Sequence, residues 1–139
     1  MKFAVTKEFT FEAAHRLLDN YTGKCTNNHG HSWLIKIQLE AEELDNKGMV
    51  IDFMELKALK TWIDDSLDHA SILWEKDPMC EYIKHSGQRL YVTIGNPTSE
   101  KIGEIIFNKA KQLFENGRVF VKFVEVCETC TSSAIVYGS

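Results

Sequence analysis

The strongest constraint on this chain is a period of two in hydrophobicity that runs through its first third. Between Phe3 and His15 the odd positions read Phe, Val, Lys, Phe, Phe, Ala and His, while the even ones are mostly polar. Successive side chains of an extended chain point to opposite faces, so this pattern predicts a half-buried strand, with Lys7 its one dissenter. A second run, from Gly30 to Ala41, sets Trp33, Ile35, Ile37 and Leu39 on one face with His31 beside them. Gly23 and the Asn27-Asn28 pair mark the connection between the two. The two strands are expected to lie side by side and antiparallel, with a register that the pattern does not fix.

The remainder alternates between helical and extended signals. Asn46-Lys47-Gly48 closes a turn, and Asp52 with Glu55 opens a helix whose apolar face carries Phe53, Leu56, Leu59 or Lys60, Ile63 and Leu67, ending near Asp68-His69. Residues 74–88 are mixed and polar and take no assignment. Leu90, Val92 and Ile94 predict a short strand. Asn96-Pro97-Thr98-Ser99-Glu100 opens a second helix with a buried stripe of Ile102, Ile105, Ile106, Ala110, Leu113 and Phe114, and Asn116-Gly117 stops it. Val119 to Glu128 and Ala134 to Tyr137 are strand-like. The order reads as α+β in a single domain, 1–139.

Composition excludes several classes of function. With 44% hydrophobic and 26% charged residues the chain is of ordinary globular composition, and a net charge of −4 argues against a nucleic-acid-binding face. No apolar run approaches the ~20 residues that span a bilayer. Lys7 and Glu8 interrupt the stretch where a secretory signal would be uncharged, so the expectation is a cytoplasmic protein whose four cysteines stay reduced.

Chemistry concentrates in the histidines. His29-Gly30-His31 sets two imidazoles on one side of an extended chain, and His15 at the end of the neighbouring strand is placed to complete a three-nitrogen set. Three histidines with an open fourth position suit a catalytic zinc. A His-x-His pair by itself is also what chance core or surface histidines produce, and the pattern leaves both readings open. Cys127-Glu128-Thr129-Cys130 is the competing signal. In a regular strand its two sulfurs point to opposite faces, so Cys127 is read as a core residue and the motif as a decoy. Cys25 is a candidate nucleophile or base, or simply a small loop residue. Asp68-His69 is a candidate acid–base pair, or a helix end.

Taken together, these segments are identified as those of a member of the 6-pyruvoyl-tetrahydropterin synthase family, most similar to its 6-carboxy-tetrahydropterin synthase branch. The resemblance rests on Phe11-Glu12-Ala13-Ala14-His15-Arg16-Leu17, Lys24-Cys25 through His29-Gly30-His31, Gly48 to Phe53, Leu67-Asp68-His69, Asn96 to Glu100, and Glu128-Thr129-Cys130-Thr131. The branch follows from the three residues between Cys25 and His29, a separation that is longer in the pyruvoyl-forming enzymes. The resemblance implies zinc on His15, His29 and His31, with Cys25 taking a proton from the substrate and Asp68-His69 returning one. It implies that Glu128 anchors the pterin and joins the relay, and that Thr98 and Ser99 line the pterin pocket. It further implies a tunnelling-type fold, taken as a four-stranded antiparallel sheet with two helices on one face, assembled as a hexamer of two trimers with sites between subunits.

The reaction so implied turns 7,8-dihydroneopterin triphosphate into 6-carboxy-tetrahydropterin, acetaldehyde and triphosphate for 7-deazaguanine (queuosine) synthesis. The rival readings are elimination to 6-pyruvoyl-tetrahydropterin and a non-catalytic zinc- or pterin-binding protein. Departures from the family pattern fall at Asn28, Trp33, Leu73 and Lys101. The segment from 74 to 95, with His85 in it, has no assigned task.

Overall fold

The computed structural model describes residues 1–139. The two alternating segments form long strands, β1 (Phe3–His15) and β2 (His29–Ala41), paired antiparallel in continuous register from Phe3 opposite Ala41 to His15 opposite His29. A 3₁₀ turn over Phe53–Leu56 leads into α1 (Lys57–Ser66), followed by β3 (Ala70–Trp74), α2 (Met79–His85), β4 (Leu90–Thr93), α3 (Ser99–Phe114), β5 (Val119–Thr129) and β6 (Ser132–Tyr137). The strands form one sheet in the order β4-β3-β1-β2-β5-β6.

The sheet is therefore six-stranded and mixed, not four-stranded and antiparallel as expected, and it carries three helices instead of two. Both differences lie in segments whose sequence has no legible period. Ala70-Ser71-Ile72-Leu73-Trp74 is covered on both faces, so it lacks alternation and is too short to distinguish from a helix fragment. It runs parallel to β1 on one side and to β4 on the other, and α2 fills the crossover between β3 and β4. Leu73, one of the departures noted above, is fully buried against Cys80 and Ile83 of α2 and so fastens that crossover to the sheet.

One face of the sheet holds the core. Phe9, Phe11 and Ala13 of β1 meet Trp33, Ile35, Ile37 and Leu39 of β2, covered by Leu59 and Ile63 of α1 and Ile102, Ile106 and Ala110 of α3. Two residues expected on buried helical faces are outside it, since Phe53 and Leu113 are exposed. Gly103 is buried in α3 instead. A Cβ there would fall 3.0 Å from Val136 and 3.3 Å from Val126, so its absence lets the helix lie close on β5 and β6.

The face of β5 changes part-way along. Gln38 pairs with Phe123 and Leu39 with Val121, leaving Lys122 as an extra residue in a β-bulge. The buried residues are accordingly Val119 and Val121 before the bulge and Val124 and Val126 after it. Cys127, expected in the core, is half-buried on the opposite face, and Glu128 turns toward the core side.

Arg16, the residue after β1, forms a two-pronged ion pair with Asp77. Nε donates to Oδ2 at 2.8 Å, and the Asp77 side chain is fully buried. Burial alone would raise the Asp77 pKa, but the Arg16 hydrogen bond and the Met79 N–H outweigh it and hold the carboxyl below its ordinary value. Arg16→Met leaves this carboxylate buried and unpaired, so urea unfolding of the metal-free variant should show a loss of about 3–5 kcal/mol at pH 7. The pair's contribution is complete above the unfolded carboxylate value of about 3.9 and disappears as pH falls through the lower folded value, so the two proteins should converge in strong acid.

Candidate metal and substrate site

The β1–β2 register decides where the histidines stand. His15 lies directly opposite His29, and Ala13 directly opposite His31, whose large ring thus faces a methyl group. Residues opposite each other share a face, so all three imidazoles project from the core side at the end of the strand pair. Their ring centroids are 4.6, 4.9 and 5.2 Å apart, and one nitrogen from each lies within 4.8 Å of the other two. Trp33 forms the floor. Its ring meets those of His15 and His31 edge-to-face at 5.0 and 5.2 Å, while its Nε1–H donates to the Ala13 carbonyl at 3.1 Å. The departure at Trp33 thus supports the cluster from below.

Backbone carbonyls fix two of the rings. The His15 Nδ1 is 2.8 Å from the Pro97 oxygen, and the His29 Nδ1 is 2.7 Å from the Asn27 oxygen. A carbonyl only accepts, so each Nδ1 carries the proton and each Nε2 keeps its lone pair. Burial is the largest influence on His15 and holds its pKa below the ordinary value, favouring the neutral ring. Its Nε2 and that of His31 are buried and have no hydrogen-bond partner. The bulge in β5 brings the Glu128 carboxylate to the same spot, with Oε1 3.3 Å from His15 Nε2 and 3.6 Å from His31 Nε2. The His15 Nε2 lone pair therefore faces the carboxylate with no hydrogen bond of its own, an arrangement that a cation relieves. A set of imidazole nitrogens suits zinc.

Around this centre stand the other expected residues. Ser99 Oγ donates to Glu128 Oε1 at 3.5 Å, and both line an open cleft with Ser132 and Ser133 at the β6 edge. The Thr98 hydroxyl accepts from Lys101 N–H at 3.1 Å and so serves first as the cap of α3. Lys101 contributes its backbone to that cap while its ammonium pairs with Glu104. Cys25 is half-buried in a 3₁₀ turn over Lys24–Thr26, in the loop whose two ends are His15 and His29. Its carbonyl accepts from Leu17 N–H at 2.8 Å. A hydrogen bond to Cys25 raises the pKa of the Tyr21 hydroxyl, which folds over Gly23 so closely that a Cβ there would sit 2.5 Å from it.

Asp68 and His69 stand elsewhere. His69 has a left-handed backbone with φ of +60°, a conformation that costs a bulky residue about 1–3 kcal/mol and persists only where neighbours hold it. Asp68 Oδ2 is 2.9 Å from His69 Nδ1, and Asp68 Oδ1 accepts from Glu12 N–H at 2.9 Å. Burial tends to raise the Asp68 pKa, but these two hydrogen bonds prevail and keep it below the ordinary value. The His69 side chain is 77% exposed. It lines an open cleft of about 500 Å³ with Glu12, Ala14, Asn28, Gly30, Ser32 and also His31. His69 is nevertheless outside the group of three imidazoles whose nitrogens lie within 4.8 Å of one another.

A family model for 6-pyruvoyl tetrahydropterin synthase matches residues 4–139. The chain belongs to the 6-pyruvoyl tetrahydropterin synthase family. Among curated relatives, the 6-carboxy-5,6,7,8-tetrahydropterin synthase of Rickettsia bellii is 35% identical over 128 residues, covering 89% of this chain and 92% of that one. Among solved structures, an uncharacterized protein from Wolinella succinogenes aligns with a TM-score of 0.86 at 26% identity, covering 100% of this chain and 99% of that one. The 6-pyruvoyl tetrahydropterin synthase of Caenorhabditis elegans aligns at 0.73 and 28%, covering 100% and 97%. The α+β architecture is thus the family's.

The geometry also identifies a support that sequence reading missed. Asn96 Oδ1 accepts from the N–H groups of Leu18 and Asp19, both at 3.0 Å, and its Nδ2 donates to the Asp19 carbonyl at 2.8 Å. One side chain thereby ties the Cys25 loop to the segment that holds His15 through Pro97. Its place before proline reads as a helix start, and its membership of the Asn96–Glu100 motif gives it no role of its own. Asn96→Ala orphans two partly buried N–H groups and should lower stability by about 1–3 kcal/mol, with faster amide exchange at Leu18 and Asp19.

Proposed function

We propose that residues 1–139 act as one catalytic domain, a zinc-dependent 6-carboxy-5,6,7,8-tetrahydropterin synthase. Its substrate is 7,8-dihydroneopterin triphosphate, and its products are 6-carboxy-tetrahydropterin, acetaldehyde and triphosphate. The observation that carries this reading is the convergence of three imidazole nitrogens beside the Glu128 carboxylate, two of them buried without a hydrogen-bond partner, within a chain whose relatives include enzymes of that name. His15, His29 and His31 would hold the ion, which when bound supplies Lewis-acid polarisation to substrate oxygens.

The rest follows from the chain's own groups. Glu128, oriented by Ser99, accepts hydrogen bonds from the amino-pyrimidine edge of the pterin, with Thr98 and Ser99 along the pocket wall. Cys25 takes a proton from the substrate side chain. Asp68 holds His69 with Nδ1 toward the carboxylate, leaving Nε2 to deliver a proton, and Glu128 completes the relay. Because His69 stands outside the group of three clustered imidazoles within one chain, we assign the relay to a site shared with a neighbouring subunit. Two free sheet edges, β4 and β6, support a homo-oligomer, and we propose the dimer of trimers. Four free cysteines agree with a reducing compartment, and we place the enzyme in the cytoplasm, in 7-deazaguanine synthesis. No helix is long and apolar enough to cross a membrane.

Mass spectrometry after incubating zinc-loaded protein with 7,8-dihydroneopterin triphosphate should find the carboxy-pterin and acetaldehyde. A pyruvoyl-pterin would instead establish elimination, and bound pterin without turnover would establish a binding protein. Cys25→Ala should lower kcat by about 10²–10⁴-fold while bound zinc stays stoichiometric. His29→Ala should reduce zinc to trace levels with an unchanged far-UV circular dichroism spectrum. Loss of that spectrum would instead mark the ion as structural.

A further inference from the structure

The segment from 74 to 95, to which sequence reading gave no task, delivers one side chain to the Asp68–His69 turn. Arg89 stands immediately before β4, and its carbonyl accepts from Ser71 N–H at 3.0 Å, two residues beyond His69. That backbone pairing fixes where the guanidinium begins. Its Nη1 donates to the Asp64 carbonyl and, at 2.9 Å, to the Asp68 carbonyl. Asp64 lies in the last turn of α1, where carbonyls lack helical partners, so a single nitrogen bridges the helix end to the turn.

The turn is gripped from its other side by Glu12, whose N–H donates to Asp68 Oδ1 and whose carbonyl accepts from His69 N–H. Glu12 itself is held in β1, and its carboxylate accepts from Ser32 Oγ at 2.7 Å. Between these two anchors lies the strained backbone of His69, with φ of +60°. A bulky residue with most of its side chain in solvent gains little from its own packing, so the direction of its ring is set by the backbone that carries it. Glu12 fixes the amide and the carboxylate, and only Arg89 among side chains fixes the Asp68 carbonyl.

We propose that Arg89 is a positioning residue for the Asp68–His69 pair, aiming the His69 imidazole by clamping the peptide that joins the two residues. This rests on the reading of that pair as the proton relay. On it, the crossover through α2 is a device for bringing an arginine fork to the back of the relay. Removing the guanidinium leaves the Asp68–His69 peptide held only at its N–H by Glu12 and free to tilt about that bond, so the His69 ring loses its aim while zinc and pterin contacts stay intact. A lysine ammonium carries three donors on one nitrogen but lacks the planar guanidinium, and so restores part of the constraint.

The test is a double-mutant cycle on kcat and KM for 7,8-dihydroneopterin triphosphate, using zinc-loaded wild type, Arg89→Met, Arg89→Lys, His69→Ala and the double variant Arg89→Met with His69→Ala. Zinc content and thermal unfolding are measured in parallel. The expected result is a fall in kcat of about 10–100-fold for Arg89→Met, with KM and zinc unchanged, partial recovery in Arg89→Lys, and no further loss when Arg89→Met is added to His69→Ala. Additive losses in the double variant, or a melting shift with kcat unchanged, would show that Arg89 only caps α1 and would overturn the proposal. Full activity in His69→Ala would overturn the relay reading itself, a distinct outcome. Should Arg89→Met fail to fold, the same cycle with Arg89→Lys decides.

Discussion

Everything at this site depends on the uninterrupted antiparallel register between β1 and β2. A slip of one residue would send every side chain of one strand to the other face, separating His15 from His29 and burying polar residues in place of Trp33 and Ile35. The apolar alternation that builds the core therefore also enforces the geometry of the histidines. Stability and chemistry are specified by the same pairing, because the three rings are simply the last members of the buried row. Ala13 stands opposite His31 in the same register.

A second constraint acts through β5. The bulge at Lys122 reverses which residues face the core, so that Val124, Val126 and Glu128 follow Val119 and Val121 inward. Without it, Cys127 would point toward the imidazoles and Glu128 away from them. The bulge thus exchanges a thiol for a carboxylate at the centre, and with it the hydrogen bond from Ser99. An inserted residue in a strand disturbs the ladder and increases twist, and here it also selects the chemical group presented to the site.

The supports are unevenly distributed. His15 and His29 are tied to carbonyls of Pro97 and Asn27, Trp33 underlies His15 and His31, and Asn96 links the Cys25 loop to the start of α3. These contacts hold the inner face. The Asp68–His69 turn has separate anchors in Glu12 and Arg89.

Long alternating strands, helix starts and the motif residues were legible in the sequence because each depends on local periodicity or on residues close together in the chain. From these came the two central strands, the helices over 57–66 and 99–114, and the expectation that three histidines converge. The parallel pairing of β3 and β4 was not legible, because a short strand covered on both faces has no alternation to read. Nor was the inward turn of Glu128, since a bulge follows from how two strands twist against each other and leaves no composition of its own. Arg89 and Asn96 act across separations of 21 and 78 residues, and no local pattern distinguishes an arginine or asparagine that finds a distant carbonyl from one that faces water. The sequence by itself determined which groups the chain carries and the strand periodicity that lines them up. Only the tertiary structure decided which of them share a face, because face-sharing depends on register, bulges and crossovers that couple residues far apart in the chain.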